Sequence, residues 1–256
     1  MPQLSWLEAE QPVAFPPTSR ALDHPNGLLA AGGALSPKWL LAAYCRGIFP
    51  WFNPGEPILW WSPSPRMVLP VGKAHTSRSL RKWYRQDQPR VTFNRAFAEV
   101  ITACRQPRAG QAGTWITDEM TQAYIEMHHQ GWAHSVEVWQ GQQLVGGLYG
   151  LGIWPVFYGE SMFSRRPNTS KLAFVALDEW AYHQHLTLID CQVYNDHLAS
   201  LGAVEIDRHQ FESALPTKAS RLQPIDETEL SRLLQQRLGV AGSHQQHMTG
   251  RSHNEE

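Results

Sequence analysis

A glutamate sits inside a run that otherwise reads as a buried strand, Phe157-Tyr158-Gly159-Glu160-Ser161-Met162-Phe163-Ser164. An unpaired ionised carboxylate is costly away from water, so Glu160 must be paired, shifted in pKa, or reserved for a cationic substrate. Strict alternation puts Tyr158, Glu160, Met162 and Ser164 on one face, with Phe157, Gly159, Ser161 and Phe163 on the other. A second short run, Leu188-Ile189-Asp190-Cys191-Gln192-Val193, places Asp190 and Gln192 on one face and Ile189, Cys191 and Val193 on the other. Either acid alone could satisfy core backbone or pair with an arginine. Two strands carrying polar groups into one apolar sheet point instead to a site.

Basic residues form two further constellations. Residues 77–85 read as a helix whose Arg78, Arg81, Lys82 and Arg85 fall at i, i+3, i+4 and i+7, opposite Leu80, Trp83 and Tyr84. With no acid interleaved, these charges repel one another along one stripe, which favours an anionic partner over a plain solvated face. The turn Arg165-Arg166-Pro167-Asn168-Thr169-Ser170-Lys171 feeds another helix, whose free N–H groups add to the cations as an anion site. The twelve histidines form no HExxH and the three cysteines no CxxC, so no metal is expected. No GxSxG elbow is present, and Gly146, Gly147, Gly150 and Gly152 do not open a helix after a strand. Those glycines fit close packing in a hairpin.

These groups need a scaffold. A chain of 256 residues, 42% hydrophobic, can build one large domain or a small one beside a medium one. The net charge of −1 excludes a global basic field, so nucleic-acid contact must come from a local patch. Cys45, Cys104 and Cys191 are odd in number and far apart, as in a reducing compartment, so a cytoplasmic location is expected. No run approaches the roughly 18–20 apolar residues of a membrane span, and no signal peptide is recognisable. Residues 1–66, rich in Pro, Gly and Trp, read as a small irregular α/β lobe with one helix capped by Ser36 and Pro37. Residues 67–240 read as strands and helices in alternation around a central hairpin over 134–152, closing with one terminal helix from Arg208. The His-, Gln- and Ser-rich stretch over 241–256 reads as a disordered tail.

The order of strands, helices and projecting polar groups resembles the GNAT acyltransferase fold, an α+β mixed sheet flanked by helices. The resemblance becomes specific at Gly47-Ile48-Phe49-Pro50-Trp51-Phe52, Pro57-Ile58-Leu59-Trp60-Trp61-Ser62-Pro63, Gly113-Thr114-Trp115-Ile116-Thr117 and Ala133-His134-Ser135-Val136-Glu137. With Gly159-Glu160-Ser161-Met162-Phe163-Ser164, Asp190-Cys191-Gln192 and His197-Leu198-Ala199-Ser200-Leu201-Gly202-Ala203, these motifs are similar to the bacterial leucyl/phenylalanyl-tRNA–protein transferase family over residues 15–215. Ser64 and Trp154-Pro155 depart from the family pattern.

The resemblance implies an aminoacyltransferase, without a cofactor and monomeric. It would move leucine or phenylalanine, with methionine as a further donor, from aminoacyl-tRNA to proteins beginning with Arg or Lys, marking them for N-end rule degradation. It also implies that Leu148, Phe157, Met162 and Ile189 hold the aminoacyl side chain, and that Tyr44, Trp51, Trp115 and Tyr124 meet the terminal adenosine. The stripe of Arg78, Arg81, Lys82 and Arg85 would dock acceptor-stem phosphates. Asp190, Gln192 and Glu160 would be catalytic: Asp190 fixes the Gln192 amide, Gln192 orients the attacking amine, and Glu160 meets the acceptor's positive charge. Alternation separates Phe157 from Met162, so a shared pocket requires a β-bulge near Gly159. Two rivals remain at this point, an acetyl-CoA-dependent N-acetyltransferase and a non-catalytic tRNA-binding module.

Overall fold

The computed structural model describes residues 4–106 and 116–239. Trp115 and the 241–256 tail therefore lie outside the described residues. The chain forms, in order, β1 (Ser5–Leu7), β2 (Leu28–Gly32), α1 (Pro37–Tyr44), β3 (Phe49–Pro50) and β4 (Leu59–Trp61). These strands make a four-stranded sheet in the order β1-β2-β4-β3. Pro37 occupies the first turn of α1, as its fixed φ favours.

A larger sheet follows, built from β5 (Arg66–Pro70), α2 (Arg78–Asp87), β6 (Arg90–Phe93), α3 (Phe97–Arg105), α4 (Asp118–His129), β7 (Ala133–Gln140), β8 (Gln143–Ile153) and β9 (Val156–Ser164). The chain completes it with α5 (Thr169–His183), β10 (Leu188–Gln192), α6 (Asp196–Ser200), β11 (Val204–Ile206), α7 (Arg208–Glu212) and α8 (Glu227–Leu238). Its order is β11-β5-β10-β9-β8-β7-β6, and the sheet is mixed: β9 and β10 run parallel while the other pairs are antiparallel. The parallel pair needs a crossover, and α5 supplies it. Apolar residues of α3, α4 and α1 pack on one face, those of α5, α8 and α2 on the other.

The expected single terminal helix is in fact two, α7 and α8. Pro216 and Pro224 lie between them, where each removes a backbone donor and bars continued helix. The glycines of β8 are close-packing positions. A Cβ at Gly150 would lie 2.1 Å from the Tyr158 carbonyl oxygen, and one at Gly152 would lie 2.4 Å from the Leu222 side chain. Ser77 and Thr117 cap α2 and α4 by accepting the Leu80 and Met120 N–H groups.

Candidate active site

The site begins where two strands part. β9 and β10 pair in register only as far as Tyr158 and Asp190, although β9 continues to Ser164 and β10 to Gln192. At the same level the β8–β9 register slips: Tyr149 faces Ser161 and Gly150 faces Gly159, which leaves Glu160 as the extra, bulged residue. The slip reverses alternation beyond it. Tyr158 and Glu160 face the α1/α4 side, whereas Met162 joins Phe157 on the α5 side, so strict alternation gives way to the bulge expected near Gly159. Between the diverging strands opens a cavity of about 690 Å³, walled by Glu160 and Met162, by Ile189 to Gln192, by Phe174 and by Trp51 of the small sheet.

Glu160 is 8% exposed and fully engaged. Its Oε1 accepts from the Tyr44 hydroxyl at 2.6 Å and from Gln192 Nε2 at 3.1 Å, and its Oε2 accepts from the Tyr124 hydroxyl at 3.0 Å. Burial pushes its pKa up to about 7, against the opposing pull of the two tyrosine hydrogen bonds; nearby Asp190 adds to the rise. The two tyrosine oxygens also lie 2.5 Å apart. Three close O···O contacts among Tyr44, Tyr124 and Glu160 exceed the two protons that the hydroxyls supply. A proton taken up by Glu160 provides the third, donated to one of the tyrosine oxygens, and closes a ring of three donors and three acceptors.

Asp190 is fully buried and faces Arg66, also fully buried. Arg66 Nε and Nη2 donate to Asp190 Oδ1 and Oδ2 at 2.8 and 2.6 Å, and Nη1 donates to the Gly47 carbonyl at 3.1 Å. The guanidinium lies over the Phe49 and Phe211 rings, 4.7 and 4.6 Å from their centroids. Asp190 Oδ1 accepts the backbone N–H of Gln192 at 2.9 Å. Asp190 therefore holds the backbone of Gln192, and Glu160 holds its side-chain amide; the expected contact of Asp190 with that amide is corrected. Gln192 has φ +64°, and Val193 N–H donates to the Cys191 carbonyl at 2.9 Å, a three-residue turn that few non-glycine residues adopt. With Nε2 spent on Glu160, the Gln192 carbonyl oxygen remains as an acceptor at the cavity.

Leu148, Phe157 and Ile189 share one buried cluster, with Met162 packed against it. Leu148, Met162 and Ile189 line the cavity, and Phe157 lies behind them, wholly buried. Trp51, 43% exposed, also lines the cavity and is tilted against Trp61 at 5.8 Å. Tyr44 and Tyr124 are corrected: both are 0% exposed and spend their hydroxyls on Glu160, so neither offers a ring face to an adenine. Arg78, Arg81, Lys82 and Arg85 occupy the exposed side of α2, away from the cavity lining. Arg81 is tied within the chain, donating to the Arg237 carbonyl at 3.2 Å and to Thr76 Oγ1 at 2.7 Å. Of the basic turn, Arg165 donates to the Leu144 carbonyl and Arg166 to Gln140 Oε1, while Ser164, Arg165 and Ser170 reach the cavity wall. Arg66 is the residue sequence reasoning missed. Its signal is a lone cation at the head of the apolar strand Met67-Val68-Leu69, on the face of Val68. Among the described residues no group of three or more His, Cys, Asp or Glu side chains is placed to hold a metal, and no helix is long and apolar enough to cross a membrane.

Residues 68–216 match the sequence model of the leucyl/phenylalanyl-tRNA protein transferases, and residues 33–64 match the model of that family's N-terminal domain. The chain belongs to the leucyl/phenylalanyl-tRNA–protein transferase family. It is 55% identical over 212 residues to the leucyl/phenylalanyl-tRNA–protein transferase of Cellvibrio japonicus, covering 83% of this chain and 90% of that one. The Chromobacterium violaceum member is 54% identical over 221 residues, with 86% and 94% covered. The Stutzerimonas stutzeri member is 53% identical over 223 residues, with 87% and 98% covered. Among solved structures, L-PGS from Bacillus licheniformis aligns over 80% of this chain and 71% of its own with a TM-score of 0.38 at 11% identity, too remote to bear on the fold. The match to the family model ends ahead of α8.

Proposed function

We propose that this chain transfers leucine or phenylalanine from aminoacyl-tRNA to the α-amine of proteins that begin with Arg or Lys, in the cytoplasm, and so marks them for degradation. The observation that carries the chemistry is the cleft itself: a bulged carboxylate with a pKa near 7, bonded to a carboxamide, beside an apolar pocket. The parted parallel strands and the bulge of β9 against β8 support the GNAT-like reading of the mixed sheet.

The aminoacyl ester is already activated, so positioning and proton transfer are the main demands. The acceptor's α-ammonium, with a pKa of about 7.7–8.0, must lose a proton before its nitrogen can attack. Glu160, near 7, is matched closely enough to take that proton, which completes the ring with Tyr44 and Tyr124. The Gln192 carbonyl oxygen orients the amine by accepting one of its N–H bonds. The nitrogen then bonds to the ester carbonyl, the ester C–O bond breaks, and the tRNA 3′-hydroxyl leaves with a proton. Leu148, Met162 and Ile189 receive the donor side chain, Trp51 offers a face to the terminal adenine, and the stripe on α2 meets the acceptor stem.

Incubation with labelled leucyl-tRNA and a protein beginning with Arg, in parallel with labelled acetyl-CoA, tests this. Label transferred from the tRNA alone supports the reading. Transfer from acetyl-CoA, or tRNA binding without transfer, overturns it.

A further inference from the structure

We propose that Val193 and Tyr194 form a subsite for the second residue of the acceptor polypeptide, an inference that rests on the aminoacyl-transfer reading above. Both side chains line the cavity directly after Gln192, yet both are exposed, Val193 by 42% and Tyr194 by 57%. Exposed apolar groups at the mouth of a cavity are what a partner covers.

The pair is held in place before anything binds. The Tyr194 hydroxyl donates to Asp196 Oδ1 at 2.9 Å, which fixes the ring. Asn195 Oδ1 caps α6 by accepting the His197 and Leu198 N–H groups, and Asn195 N–H donates to the Met67 sulfur at 3.3 Å. The turn at Gln192 fixes where this segment leaves the strand. An acceptor whose amine reaches Gln192 and Glu160 advances about 3.3–3.6 Å per extended residue. Its second side chain then arrives beside the residues that follow Gln192.

Charge separates a peptide from a nucleotide as the occupant. From Val193 to Asp207 the chain carries three carboxylates, Asp196, Glu205 and Asp207, and no Lys or Arg. Both Asp196 and Glu205 act electrostatically on Tyr194. A phosphodiester would be repelled there, whereas a polypeptide with an N-terminal Arg or Lys would be attracted. Elsewhere the cavity lining includes the exposed Trp51 and Arg165, an aromatic face and a cation that suit the anionic donor better.

Calorimetric binding of the peptides Arg-Phe-, Arg-Gly- and Arg-Asp-Ala-Ala to the full chain tests the subsite without requiring turnover. The expected order of affinity is Phe over Gly over Asp, with Phe about threefold to tenfold tighter than Gly, the size of an aromatic pair. Tyr194→Ala should bring the Phe-to-Gly ratio to about one, Tyr194→Phe should keep the preference, and Glu205→Gln should narrow the penalty on Asp. Equal affinities in the parent chain overturn the subsite. So does a Tyr194→Ala variant that keeps the Phe preference, or one that raises KM for leucyl-tRNA instead. A parallel transfer assay separates the two claims: selective binding without transfer leaves the subsite standing and refutes the activity alone.

Discussion

Glu160 and Asp190 are both buried carboxylates, yet their surroundings give them different work. Asp190 faces a guanidinium in bidentate geometry, whereas Glu160 faces hydroxyls and an amide and no cation. Because the folded pKa of Glu160 is raised to about 7, its contribution to stability is full below its ordinary carboxylate pKa and is lost as pH rises through 7. Glu160→Gln should therefore gain stability relative to the parent between about pH 4.5 and 7, by an amount of order 3 kcal/mol, and level off above that. Urea denaturation of both proteins at pH 5 and pH 8 measures it, and a difference independent of pH would refute the assignment. The same variant should lose most transfer at every pH, since it cannot take the ammonium proton. Arg66 is tested by its removal. Arg66→Met strands Asp190 without a counter-ion in the core and should cost about 3–5 kcal/mol, much of it restored by a second change, Asp190→Asn, as a double-mutant cycle in urea would read.

At the scale of elements, the bulge in β9 makes the site, because it turns Glu160 one way and Met162 the other. That bulge was legible in the sequence only through a chemical demand: Phe157 and Met162 cannot share a pocket on an unbroken strand. Its partner glycine carries the test. Gly150→Ala drives a Cβ against the Tyr158 carbonyl and the Phe157 ring, so it should destabilise the fold and lower transfer together. The start of α1 at Ser36-Pro37 and the hairpin were legible for a local reason, since helix-start residues and alternation act within a few residues. Arg66 was not, because the prolines before it read as a boundary and its partner lies 124 residues on. The pairing of Tyr44 and Tyr124 with Glu160, across 116 and 36 residues, was equally hidden, and their aromatic character invited a ligand in its place. The stripe on α2 had the right helix and the right exposed face, but Arg81 is shared with the end of α8. Charge reversal at Arg78, Lys82 and Arg85 therefore gives the cleaner test. Each phosphate left without its cation should reduce the slope of log K against log salt by about 0.9 for all aminoacyl-tRNAs alike, and an unchanged slope would remove the stripe from the tRNA path.

The whole molecule poses the question of whether its two sheets are separate bodies. A boundary at residue 66 is natural by composition, and the sheets do divide between Trp61 and Arg66. The core does not respect that division. Leu7, Phe15, Trp39 and Trp60 of the small sheet's side belong to the same buried cluster as Phe97, Tyr149 and Tyr158 of the large one. Arg66 adds a polar tie at the seam, joining Gly47 to Asp190 while Phe49 and Phe211 enclose it. The small sheet's strands are two to five residues long, too short to be stable without that shared core. Both sheets should accordingly open in one event. Native-state hydrogen exchange in rising denaturant should give the slowest amides of β4 the same opening free energy and denaturant slope as those of β8. A lower free energy and a shallow slope confined to β2 and β4 would mean that the small lobe detaches first. In that case the cavity between Trp51 and Gln192 would be a hinge and not a fixed cleft.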